Sequence, residues 1–155
     1  MKSLVHKSVY VVFGVILLLL LTYFRENILL EINANLALEE YNRAYSYWFA
    51  DYFKGMSRDS LIKWKWTATI VFSFLMSAIT ICSLYIFFTS FNVLKRVLII
   101  YLIIFIIGFL LAVIGYLTGS FNEVYFVLRK ILGIVQSPLP FFAFFVLFYY
   151  EKRLS

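Results

Sequence analysis

The sequence predicts an all-α, polytopic membrane protein, a single membrane domain of four transmembrane helices with an interfacial amphipathic helix between the first two. Composition is the first observation behind this reading. Of 155 residues, 64% are hydrophobic and 14% charged, whereas soluble domains run at roughly 45–50% apolar and 25% charged. The mean hydropathy of +0.93 agrees. The second observation is a set of four apolar runs, each bounded by basic residues, and the third is an aromatic stripe in the one long loop.

The first span covers residues 8–24, between Lys7 and Arg25. Its apolar stretch of some 16 residues would rise about 24 Å, short of a hydrocarbon core of about 30 Å, and the two flanking cations can snorkel across the difference. The stretch is long for a signal-peptide core and no small-x-small cleavage site follows promptly, so an uncleaved helix is expected. The second span covers residues 66–88 and the third residues 97–117, the latter without a charge. The fourth, residues 131–150, carries Gln136, Pro138 and Pro140 in its first half. Proline removes a backbone donor, so that end should kink and must face protein, water or the interface.

Between the first two spans, Leu38, Tyr41, Tyr45, Trp48 and Tyr52 recur at spacings of three and four, which predicts a helix over residues 28–53 with one aromatic face. Tyr and Trp favour the headgroup region, so this helix should lie on the membrane surface and end at Gly55, Met56 and Ser57. Lys63, Trp64, Lys65 and Trp66 then anchor the second span at the interface. Glu26, Glu31, Glu39 and Glu40 read as solvated charges on the polar face.

Lys2, Lys7, Lys95, Arg96, Lys152 and Arg153 concentrate six of the 14 basic residues in the short segments on one side of the bundle. This density places both termini in the cytoplasm of a bacterial inner membrane. The net charge of +6 comes from such clusters, so the expected partner is membrane lipid and not nucleic acid.

Inside the spans the informative residues are small. Thr69, Ser73 and Ser77, continued by Thr80, form one stripe on the second span, and Gly108, Ala112, Gly115 and Gly119 form another on the third. Such residues let helix backbones approach closely. Gly133 and Ser137 repeat the pattern in the fourth.

No catalytic site, cofactor or metal site is expected, and the chain is not expected to be an enzyme. Ionisable residues are missing from the span cores, where coupled transporters and voltage sensors place them. Cys82, the one cysteine, reads as an inert thiol buried deep in the second span, out of reach of His6 at the cytoplasmic edge. No glycine-rich phosphate loop or HExxH motif occurs.

Several short segments, in order along the whole chain, carry a resemblance: Phe24-Arg25-Glu26-Asn27, Tyr52-Phe53-Lys54-Gly55, Arg129-Lys130-Ile131-Leu132, then Gln136, Pro138 and Phe148-Tyr149-Tyr150. Together they resemble the small exosortase-system-associated membrane proteins of Bacteroidetes, with a longer first loop and extra residues between Arg129 and Pro138. The resemblance implies an accessory subunit that binds another integral membrane protein, an exosortase-like sorting transpeptidase. Tyr41, Tyr45, Trp48, Tyr52, Arg129, Lys130, Gln136, Pro138 and Pro140 are the expected partner-binding residues. A small channel or transport component is the alternative, a homo-oligomer sharing a polar path through Thr69, Ser73 and Ser77.

Overall fold

A computed structural model describes residues 2–37, 49, 51–119 and 121–154. Among the described residues the chain forms five α-helices: α1 (Lys2–Ala37), α2 (Arg58–Phe88), α3 (Phe91–Thr118), α4 (Phe121–Val135) and α5 (Leu139–Leu154). The first three are long and apolar enough to cross a membrane, and α4 and α5 form a pair bent by 56°.

α1 does not stop where its apolar run stops. It continues through Arg25 and Glu26 to Ala37, because no proline or glycine interrupts the backbone there, and Asn27 and Asn35 turn their side chains back onto carbonyls four residues earlier. The first ten residues of the expected surface helix are therefore the last turns of α1. Phe49 and residues 51–55 form turns, and Tyr52 sits in them, not on a helical face. Leu38, Tyr41, Tyr45 and Trp48 lie outside the described residues.

α1 and α2 run antiparallel in a fixed register. Gly14 lies against Ser83, and Asn33 Oδ1 accepts a 2.8 Å bond from Lys65, so each step up α1 is matched by a step down α2. α2 begins at Arg58, earlier than its apolar run, because Ser57 caps it: the Ser57 hydroxyl accepts from the Ser60 N–H at 3.4 Å. α2 ends at Thr89, which adopts the left-handed conformation (φ 49°, ψ 35°) and returns its N–H to the Tyr85 carbonyl at 2.8 Å. A two-residue turn then launches α3.

Lys7 donates to the Thr89 hydroxyl at 3.1 Å, and Arg96 forms a forked pair with Glu151 at 2.7 and 2.8 Å. These contacts bring the start of α1, the α2–α3 turn and the end of α5 together at one end of the bundle, the terminal end. The opposite, distal end holds Arg58, Gly119 and the last turns of α1.

The main core gathers Leu18, Met76, Leu84, Phe88, Val97, Tyr101, Val135, Phe141 and Phe148. Much of its density is aromatic, with Phe88, Phe145 and Phe148 in contact across α2 and α5. A second, smaller core at the distal end joins Ile32, Phe53 and Leu61, with Ile28, Leu36, Phe49 and Met56 packed around it. The outer faces are apolar: Leu102, Ile106, Phe109, Leu110 and Ile114 of α3 are all exposed. An apolar surface of this extent is suited to contact with lipid. Cys82 also lies on an exposed face of α2, a correction to its expected burial, since the neighbouring Ser83 and Leu84 take the side of the helix that faces the bundle.

The expected single fourth span is in fact two helices separated at residues 136–138. The freed backbone groups are satisfied on the spot. Gln136 N–H still donates to the Leu132 carbonyl at 2.8 Å, Ser137 N–H reaches the Ile134 carbonyl at 3.2 Å, and the Ser137 hydroxyl donates to Ile134 O and accepts from Leu139 N–H. Pro138 stands just before α5 and Pro140 in its first turn, where an N–H has no intrahelical partner to lose. The break thus belongs to Pro138. Pro140→Leu is expected to change stability by less than about 1 kcal/mol, whereas Pro138→Leu, which lets α4 run on, should lower the unfolding temperature clearly more. Thermal unfolding of the two variants in detergent checks the order.

The small-residue stripes divide on inspection. Gly108 and Gly115 are buried on α3, and a Cβ at Gly108 would stand 3.5 Å from Leu128 of α4, so that close approach is used. Ala112 is half-buried on the same face. Gly119 instead ends α3 at φ +68°, ψ 3°, with open space around it. It is a helix terminator, not a packing residue. Gly133 likewise has open space at its Cβ position.

A polar cleft at the distal end

The sequence of α1 after residue 24 supplies polar groups on a helical stripe: Arg25, Leu29 and Asn33 are four apart and share one face. That face meets α2 at Lys65 and Thr69 and meets the end of α4 at Arg129 and Gln136. The three helices enclose a cleft of about 140 Å³.

Gln136 is its anchor. Its side chain, 1% exposed, projects from the last turn before the break and uses both ends of the amide. Oε1 accepts from Arg25 Nε at 2.6 Å, while Nε2 donates to the Thr69 carbonyl at 2.7 Å and to the Ser73 hydroxyl at 2.6 Å. The amide orientation follows from these partners, because the guanidinium can only donate and the carbonyl can only accept. Ser73 passes its own proton to the Thr69 carbonyl at 2.8 Å. One glutamine therefore joins α1, α2 and α4.

Arg25 has a side chain only 14% exposed and pairs at 2.6 Å with Glu26. Burying a guanidinium is costly without partners, and here two of its nitrogens are occupied, one by an amide oxygen and one by a carboxylate. Lys65 donates to Asn33 Oδ1 at 2.8 Å. Arg129, exposed on α4, makes no hydrogen bond or ion pair among the described residues. Three cations against one carboxylate leave the cleft with a formal surplus of two positive charges.

Thr69, Ser73 and Ser77 lie on the stripe expected for helix packing, and each bonds a carbonyl four residues back at 2.8 Å. Ser73, Ser77 and Thr80 are buried inside the bundle. Of the expected partner-binding residues, the fold brings Gln136 and Arg129 together in the cleft. Lys130 points elsewhere, its Nζ 4.3 Å from the centre of the Phe126 ring, and Tyr52 is 57% exposed with its ring edge-on to Trp64 at 5.8 Å. Tyr41, Tyr45 and Trp48, expected to cover the break, lie outside the described residues.

Arg25, Asn33 and Lys65 were not singled out from the sequence as a site, although their spacing was available once α1 was allowed to pass residue 24. Glu26 and Glu31 also differ from expectation, while Glu39 and Glu40 lie outside the described residues. Glu31 is 4% exposed and receives a 3.4 Å bond from Asn35, while Glu26 is tied to Arg25, so neither is a freely solvated charge. Among the described residues no group of three His, Cys, Asp or Glu side chains is placed to hold a metal ion. Comparison with protein-family models, with curated proteins and with solved structures returns no match.

Proposed function

We propose that this protein is a non-catalytic interaction subunit of a bacterial inner-membrane protein-sorting system. In this reading the bent α4–α5 pair is the fourth span, both termini are cytoplasmic, and the distal end faces outward. The resemblance to exosortase-associated proteins supplies the class of partner, a membrane-embedded sorting transpeptidase.

The observation that carries the reading is the head built at the distal end. α1 extends about 18 Å beyond Arg25 by helix rise, packs its Ile32 against Phe53 and Leu61, and so holds Tyr52 and Trp64, 57% and 41% exposed, in a fixed aromatic pair. Exposed aromatics on a supported frame are what a protein partner can grip, since little side-chain entropy is lost on docking. The alternative of a homo-oligomeric channel has less support. Its path required Thr69, Ser73 and Ser77 on an outward face, and their hydroxyls are spent on helix carbonyls within the bundle.

Placing a photo-crosslinking amino acid at Tyr52 tests the proposal. In membranes containing the co-expressed transpeptidase, a discrete adduct of the two chains is expected from position 52 and none from Phe109, which faces outward on α3. Adducts from both positions alike, or from neither, would overturn it.

A further inference from the structure

The apolar outer surface of the bundle ends at a different height on each long helix. Its contacts set a common scale. Lys7 donates to Thr89, so the start of α1 is level with the end of α2, and α3 begins beside them at Phe91. Farther up, the rings of Phe74 and Phe105 stack at 5.3 Å, and by helix rise each lies about 21–23 Å from the terminal end. Heights on α1, α2 and α3 are therefore measured from one origin.

On this scale the first basic residue beyond the apolar run of α1, Arg25, stands at about 27 Å, and Lys65 of α2 stands at about 36 Å. α3 is uncharged from Val97 to its end, with Leu117 at about 39 Å. Tyrosine and tryptophan, which favour the headgroup level, follow the same slope: Tyr23 at about 24 Å, Trp66 at about 35 Å and Tyr116 at about 38 Å. The terminal edge steps the same way, since Lys95 and Arg96 of α3 lie about 6–8 Å above Lys7 of α1. α2 packs against both α1 and α3, so both edges rise in one direction across the bundle.

A hydrocarbon core of about 30 Å set square to the helices would end near Arg25. It would leave Tyr116 and Leu117, 80% and 76% exposed, in water with Ile114 beside them. Local thinning of the bilayer would draw the two edges together. Here both shift the same way, which a tilt explains and thinning does not.

We propose that the bundle crosses the bilayer obliquely, with the tip of α3 immersed in the acyl chains of the distal leaflet while the last turns of α1 stand in water. A rise of about 10 Å across two interhelical spacings of about 8–10 Å each corresponds to a tilt of about 30°. Acyl chains are the occupant of the α3 tip because its exposed apolar face continues that of Leu102 and Ile106 without a break. The inference rests on membrane insertion and not on the identity of a protein partner, so the two stand or fall separately. It makes the distal head lopsided at the membrane surface, α1 projecting and α3 sunk.

The test uses the full-length protein with Cys82→Ser, inserted in phosphatidylcholine–phosphatidylglycerol vesicles. A nitroxide is attached at Ala34→Cys on α1 or Leu117→Cys on α3, positions of equal height at about 40 Å. The label at position 117 is expected to be relaxed by oxygen, which concentrates in lipid, and to be about tenfold less accessible than that at position 34 to a water-soluble nickel chelate, which the hydrocarbon excludes. Equal access of the chelate to both labels, high or low, would overturn the tilt. Exclusion of both reagents from position 117 would show a protein cover and overturn the assignment to lipid. Polarised infrared absorption of the unlabelled protein in aligned films of the same lipids needs no variant. It should read a mean helix tilt near 30°, and a value below about 10° would overturn the proposal.

Discussion

Gln136→Leu is expected to destabilise the bundle by about 2–3 kcal/mol, the cost of leaving a half-buried guanidinium short of an acceptor. The shape of the side chain is nearly conserved, so packing contributes little and the loss belongs to the hydrogen bonds. The Arg25 Nε–H loses its amide oxygen, and Thr69 and Ser73 lose the donor that tied α2 to α4. Gln136→Glu separates the two halves of this network. A carboxylate satisfies Arg25 but offers no proton to the Thr69 carbonyl, so the variant should be weaker than the parent at neutral pH. It should recover as the pH falls and the carboxyl gains the proton it can donate. Thermal unfolding in detergent across pH checks both, and a pH-independent loss in Gln136→Glu would show that the Thr69 bond contributes nothing.

Gly14→Val is the second large effect. A Cβ at position 14 would collide with the Ser83 hydroxyl and lie 3.1 Å from Ser83 Cβ, at a close approach of α1 to α2. Overfilling a packed contact of this kind costs about 1–3 kcal/mol, and valine, with two further methyls, belongs at the upper end. The helices must separate near the terminal end, where Leu18 and Leu84 complete the core. Gly14→Ala should cost less, and combining it with Ser83→Gly, which moves the gap to the facing helix, should restore most of the loss. Failure of the double variant to recover would mean that Gly14 serves some purpose other than close approach.

Residue by residue, hydropathy located the apolar helices better than it located their ends. The charge-free run at residues 97–117 lies wholly within α3, which starts six residues earlier at Phe91, and Lys7, Arg96 and Lys152 lie at one end of the bundle. Arg25 shows where the inference failed. A charge after an apolar run marks the edge of the membrane, but a helix ends only where its hydrogen bonds are interrupted, and nothing in residues 25–37 interrupts them. The surface helix drawn from residue 28 was an extension of the span below it. Gln136 was legible as unusual, yet its meaning lay in Arg25, Thr69 and Ser73, which no local pattern connects to it. Gly14 was missed because a lone glycine has no repeat to announce it, whereas Gly119 joined a stripe by spacing alone and turned out to end the helix.

The partners of Gln136 lie 63 to 111 positions earlier in the chain, which gives the bundle an order of assembly. During synthesis α1, α2 and α3 emerge first, and the two-residue turn at Thr89 lets α2 and α3 enter the bilayer as a hairpin. Arg25 and the Thr69 carbonyl then wait at the distal boundary with their bonds to α4 unmade. The last segment, with its polar amide beside a proline break, gains its place in the membrane only by docking on a pair already formed. A chain interrupted before residue 136 would keep its three long helices but leave the Arg25 Nε–H and the Thr69 carbonyl without the bonds that Gln136 supplies.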